Sequence, residues 1–256
     1  MKKLFAGLIV LLMTSCVTTT TSDLTKEKDL SKAESAYVEI GYRQAQQNNF
    51  QQAKMSFGKA LDINSKSAGA YMGLAVVYGQ EHEPELAEKN FSKAIRYDTT
   101  QESRFQYATW LYNEQRFKES IKQMEVVVDD TLYGKRPQAF DILGITNLRV
   151  GNTQEAIQNF KKSIVLNQQF VSPRISLANV YASEKDFVKA YEAYNGFVGL
   201  VKINLAKQTP ATLWLGIQLA NVNKDTNAEA SYSLQLEQLF PDSREYKAYK
   251  MWKKQQ

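Results

Sequence analysis

The stretch FDILGITNLRVGNTQEAIQNFKKSIVL, residues 140–166, decides the fold. Gly144 is followed twelve residues later by Ala156 and sixteen later by Phe160; Leu143 precedes the glycine and Leu166 closes the unit. The same small, small, large pattern recurs on both sides. Toward the N-terminus it reads Gly41, Ala53, Phe57, then Ala75, Ala87, Phe91, then Ala108, Ser120, Met124. Toward the C-terminus it reads Ala178, Ala190, Tyr194, then Gly216, Ala228, Tyr232. Successive second markers, from Ala53 to Ala228, lie 34, 33, 36, 34 and 38 residues apart. Small residues in the first helix of each unit let a facing backbone approach, and those in the second do so from the other side. The aromatic or Met one turn later fills the wedge beside them.

A period near 34 with this pattern marks the tetratricopeptide repeat (TPR). One helix pair cannot bury its apolar face alone, so the pairs must stack. The expected fold is all-α: a right-handed superhelix of about six helix-turn-helix repeats over residues 31–240, closed by a capping helix over 241–256. The 256 residues, 43% hydrophobic, suffice for a sizeable core. Prolines agree with this register. Pro84 opens a second helix, Pro137, Pro173 and Pro210 open first helices, and Pro241 follows the last second helix. Ser172 and Thr209 are suitable N-caps. Asn48-Asn49, Gly151-Asn152 and Lys185-Asp186 mark turns within repeats. Two extra residues near Lys135-Arg136 and four near Lys207-Gln208 lengthen joints between repeats. Tyr246, Tyr249 and Trp252, spaced by three, form one apolar face of the capping helix.

Residues 1–15 read as an export signal: Lys2 and Lys3, then an apolar run from Leu4 to Met13 too short to span a bilayer. The run ends in Leu12-Met13-Thr14-Ser15-Cys16, which resembles a bacterial lipobox with Cys16 as the lipidated residue. Val17 follows, not the Asp that retains lipoproteins at the inner membrane, so the resemblance implies the outer membrane, periplasmic face. Several acyl chains at roughly 0.8 kcal/mol per buried methylene anchor firmly. Cys16 is the only cysteine, so no disulfide is expected in the folded part. Residues 16–30, rich in Thr and Ser, read as a flexible tether. Ser31 with Glu34 reads as a capping box opening the first helix.

No pattern of catalytic chemistry emerges. His82 is the single histidine and falls in a turn beside Glu81, Glu83 and Glu85, short of a metal-ligand set. There is no Gly-x-Ser-x-Gly elbow and no glycine-rich phosphate loop. Asp129-Asp130 read as a helix end, since adjacent helical side chains point apart. The net charge of +5 comes from signs that alternate along helices, a solvated surface rather than a phosphate-binding stripe. The reading is therefore no enzyme, no cofactor, no metal, no nucleic acid and no small-molecule substrate. What remains is a groove. In TPR arrays the first helices line the concave face, here through Val38, Tyr42, Met72, Val76, Phe105 and Tyr112, with Thr109, Ile145, Leu148, Ile175 and Asn179 further along. An apolar, aromatic strip of this kind suits a peptide segment of a partner.

Several segments resemble the PilF/PilW lipoproteins of type IV pilus biogenesis. These are Glu83-Pro84-Glu85-Leu86-Ala87-Glu88 with Phe91 and Ala94, Tyr107-Ala108 with Leu111-Tyr112, and Ala139-Phe140-Asp141-Ile142-Leu143-Gly144 with Leu148-Arg149. The end is the most specific part: Leu213-Trp214-Leu215-Gly216-Ile217, Ser231-Tyr232 with Leu234-Gln235-Leu236, and Leu239-Phe240-Pro241-Asp242-Ser243 with Glu245-Tyr246. The resemblance implies a pilotin, a lipoprotein that binds the secretin subunit of the type IV pilus and promotes its outer-membrane localisation and multimerisation. The competing expectation is another outer-membrane TPR lipoprotein that scaffolds peptidoglycan hydrolases or synthases.

Overall fold

A computed structural model describes residues 23–255, and the elements it forms there are all helical. Among the described residues thirteen helices form six hairpins and a single end helix. The hairpins are α1 (Asp23–Gln46) with α2 (Phe50–Ile63), α3 (Ala68–Gln80) with α4 (Pro84–Tyr97), and α5 (Glu102–Asn113) with α6 (Phe117–Asp129). They continue as α7 (Arg136–Arg149) with α8 (Thr153–Leu166), α9 (Ser172–Ser183) with α10 (Phe187–Lys202), and α11 (Pro210–Val222) with α12 (Thr226–Leu239). The last helix is α13 (Arg244–Lys253). The six-copy register therefore holds. The backbones of first helices also approach those of adjacent first helices, whereas second helices meet one another only through side chains, as Tyr194 and Tyr232 do, so the stack curves with the first helices inside.

Helix α4 shows why these segments are helical. Ala87, Phe91 and Ala94 recur on one buried face, Pro84 stands at the first turn, Glu85 follows it, and Arg96 lies in the last turn. Each hairpin then turns through one left-handed residue: Asn48, His82, Gln115, Gly151, Lys185 or Lys224. The next residue sends its N–H back five positions, as Asn49 does to Gln44, Glu83 to Tyr78 and Asn152 to Asn147. This is a Schellman closure, and the residue that completes it is also the N-cap of the second helix. A three-residue turn thus ends one helix and starts the next.

The glycines do their work differently from the expectation. The group that approaches Gly41 is the ring of Phe57, not a facing backbone: a Cβ there would lie 2.6 Å from it. The same ring is 2.2 Å from a Cβ at Gly73 in the next repeat, so Phe57 is clamped between two glycines and wholly buried. Phe160 lies against Gly144, and Tyr194 of repeat five lies against Gly216 of repeat six.

Three other expectations change. Helix α1 already runs from Asp23, so residues 23–30 are helix rather than tether, and Ser31 and Glu34 lie inside it instead of opening it. Glu34 accepts a hydrogen bond from Ser67 of the next joint, a tertiary partner that displaces the local cap. Ser172 is the first residue of α9 rather than its N-cap, which is Val171. Thr209 does cap α11, in a reciprocal box with Thr212. Cys16 and the signal segment lie outside the described residues.

At the C-terminus α13 packs on α11 as the first helix of a seventh repeat would. Trp214 meets Tyr249 and Trp252 edge-on, at 6.3 and 5.7 Å. Lys250 stands seven residues after the cap Ser243, where Gly216 stands after Thr209. A long charged side chain thus stands where the repeats hold a small residue.

Candidate partner-binding face

The six candidate groove residues lie on first helices but are not equally free. Val38 packs toward α3, 3.2 Å from where a Cβ of Gly69 would sit. Tyr42 rests edge-on against Phe57 at 5.2 Å and donates its hydroxyl to the Gly69 carbonyl at 3.2 Å. Burial first, and the charge of Glu102 second, raise its pKa. Phe105 is 8% exposed, inside a cluster with Met124 and Phe140. Phe105 belongs to the packing between helices, whereas Val38 and Tyr42 touch the next repeat and stay partly exposed. Met72, Val76 and Tyr112 are half-buried. Tyr112 carries Arg149 over its ring and accepts from that side chain's Nε at 3.2 Å.

The open part of this face is a cleft between α3 and α5, about 300 Å³ in volume. Val76, Phe91, Thr109 and Trp110 form its walls with Gly79 at its side, and Gln80, Gln106, Asn113 and Glu114 stand at its polar edge. Trp110 is its anchor. The indole stacks on Tyr107 at 6.0 Å and contacts Phe91 at 5.5 Å, and its Nε1 is 2.6 Å from where a Cβ of Gly79 would be. Any side chain at that position would displace the ring. The indole N–H is buried and donates to nothing among the described residues. Sequence reasoning named Val76 and Thr109 but missed Trp110 and Gly79. A glycine near the end of a first helix, one repeat before a tryptophan, was the available signal.

Charge around the cleft is already committed. Arg116 lies 5.9 Å from the Trp110 ring and bridges Glu88 of α4 and Glu119 of α6. Those hydrogen bonds hold the Glu119 carboxyl below its ordinary range and raise the guanidinium further. At the next joint Glu102 accepts from Tyr133 and Lys135, both at 2.8 Å. Burial alone would raise its pKa; the hydrogen bonds from Lys135, Gln106 and Tyr133 together lower it. They fix the lengthened α6–α7 joint, which leaves Leu132 93% exposed.

Asp141 of α7 is the anomaly of the inner face. Three residues before Gly144, it occupies the place that Phe105 holds before Ala108 in repeat three, is 5% exposed, and leaves Oδ1 without a partner among the described residues. Burial pushes its pKa up to about 6, with Ser172 partly offsetting the shift. His82 is exposed at its left-handed corner, and Asp129-Asp130 end α6. Among the described residues no group of three His, Cys, Asp or Glu side chains is placed to hold a metal, and no helix is long and apolar enough to cross a membrane.

Residues 34–67 match the tetratricopeptide repeat family. The type IV pilus assembly protein PilF of Pseudomonas aeruginosa is 34% identical over 249 residues, covering 95% of this chain and 97% of that protein. A solved structure of Pseudomonas aeruginosa PilF superposes with a TM-score of 0.73 at 33% identity, over 87% of this chain and 99% of the other. The crystal structure of PilW, described as a widely conserved type IV pilus biogenesis factor, gives 0.68 at 21% identity over 84% and 97%, a likeness of fold.

Proposed function

Because this chain belongs to the PilF/PilW family of type IV pilus assembly TPR proteins, we propose that it is the pilotin of its pilus system. In this reading Cys16 carries the lipid that holds the protein on the periplasmic face of the outer membrane. The segment before Asp23 is the tether, and the inner face of the repeats captures secretin subunits for localisation and multimerisation. The observation that carries the reading is relatedness along nearly the whole chain, including the end that generic repeats do not require. The open cleft beside Val76 and Trp110 supplies a place for a client segment, with Met72 and Tyr112 on the same series of first-helix positions. The mechanism needs no catalytic residue: an apolar anchor, a linker and a binding face are sufficient.

The test is co-purification from membranes. The native chain should sediment with the outer membrane and bring the secretin with it. Cys16→Ser should be released to the soluble fraction and leave the secretin monomeric, and deletion of the gene should abolish twitching. A deletion strain with normal secretin multimers and altered cell shape would replace the pilotin reading with that of a peptidoglycan-enzyme scaffold.

A further inference from the structure

The cleft between α3 and α5 has a chemistry that selects its occupant, and the geometry points to an extended polypeptide segment that inserts one aliphatic side chain and carries no acidic residue beside it. This rests on the client-binding reading above and adds the class of segment. Three observations bear on it. The volume, about 300 Å³, lies at the small end of ligand sites and suits a single side chain with its main chain. The walls are apolar where Val76, Phe91 and Trp110 meet, so an aliphatic group gains by leaving water there. At the edge, Gln80 and Asn113 are exposed and make no side-chain hydrogen bond among the described residues. An amide offers both a donor and an acceptor, the complement of a peptide main chain, which presents both.

Charge decides against an acidic segment. Glu114 is the one ionisable lining residue, and the nearby cation, Arg116, is held between Glu88 and Glu119. Gln80 and Asn113 are also the last residues of α3 and α5, so the cleft lies at the C-terminal, partially negative ends of both helices. A carboxylate entering here would meet like charge from Glu114 and two helix ends, with no cation among the lining residues to pair. The indole N–H of Trp110, beside Gly79, has no acceptor, and a main-chain carbonyl reaching it after a small ring movement would satisfy it.

The chain has three tryptophans, at 110, 214 and 252, hence three indole N–H signals in a ¹⁵N-labelled sample. Trp110→Phe assigns the one that reports the cleft. The probes are acetyl-Gly-Ser-Thr-Leu-Thr-Ser-Gly-amide and its counterpart with Glu for Leu. With the leucine peptide the Trp110 signal should move saturably while those of Trp214 and Trp252 stay. The Glu peptide should bind at least about tenfold more weakly, the equivalent of 1.4 kcal/mol. Replacing the exposed pair, Gln80→Ala with Asn113→Ala, should weaken the leucine peptide several-fold with all three indole signals retained. A motionless Trp110 signal at about 5 mM leucine peptide, a weak but measurable limit, or equal shifts with both peptides, overturns the proposal. Secretin capture persisting in that event keeps the pilotin reading without this cleft, whereas peptide binding without secretin capture keeps the cleft and removes the pilotin.

Discussion

In the N-terminal half the buried side chains fall into separate clusters, around Phe57, around Phe91 and around Met124, the last reaching Phe140 and Leu143 of α7. From Ala156 onward they form one continuous body that runs to Tyr249. The two halves obey the same register but direct their aromatic rings differently. Tyr194 spans its joint, lying against Gly216 and meeting Phe197 and Tyr232. Phe91 spans its joint too, but through tilted contacts with Tyr107 and Trp110 of α5, and the cleft lies beside it. Each N-terminal cluster bridges one joint, Phe57 between repeats one and two and Phe91 toward Trp110 of repeat three, but the clusters do not merge with one another. The cleft beside Trp110 lies in the half with the more divided packing, and an opening of about 440 Å³ beside Tyr191 and Tyr232 lies in the half with the continuous one.

The sharpest way to break this contrast is to detach one N-terminal cluster. Gly73→Val should cost about 3 kcal/mol or more, because Phe57 fills the space a Cβ needs and is pinned by Gly41 behind it. Hydrogen exchange should then show repeats one and two opening while repeats four to six keep their protection. Gly58→Ala, with nothing near its Cα, is the control and should gain roughly 0.5–1 kcal/mol of helix propensity. In the C-terminal half, Tyr249→Ala should cost about 3 kcal/mol and loosen exchange across repeats five and six together.

Asp141 sharpens the comparison through pH. Its carboxyl is neutral in the folded protein up to about 6, whereas in the unfolded chain it ionises near its ordinary value. Its contribution is thus most favourable below the unfolded pKa and declines as pH rises through about 4 to 6, by on the order of 2 kcal/mol. Asp141→Asn should flatten that decline in urea midpoints and leave stability near pH 4 almost unchanged. The smallest effect belongs to the corners. Lys185→Gly removes a left-handed residue with a Cβ and should gain about 0.5–1 kcal/mol in thermal unfolding.

The sequence carried the register because small residues and rings recur at fixed offsets, and because Pro84, Pro210 and Thr209 each mark a helix start in agreement with it. It did not carry facts set by distant neighbours. Ser31 and Glu34 spell a cap, yet Ser67, over thirty residues away, takes Glu34 for itself. Tyr42 looks like a free groove aromatic until Phe57 and Gly69 are seen to hold it. Trp110 goes unnoticed until Gly79 is placed under its edge. Periodicity tells which face a residue occupies; only the next repeat tells whether that face is covered.

The uniform corners have a practical consequence. Asn48, His82, Gln115, Lys185 and Lys224 owe their conformation to main-chain bonds, and their side chains take no part in the closure. With Cys16 replaced, no native thiol remains, so a cysteine introduced at any two of these points could carry a pair of spin labels at a known number of repeats apart. The chain thus comes with its own ruler. Inter-label distances read along it would report whether loading cargo straightens or tightens the coil.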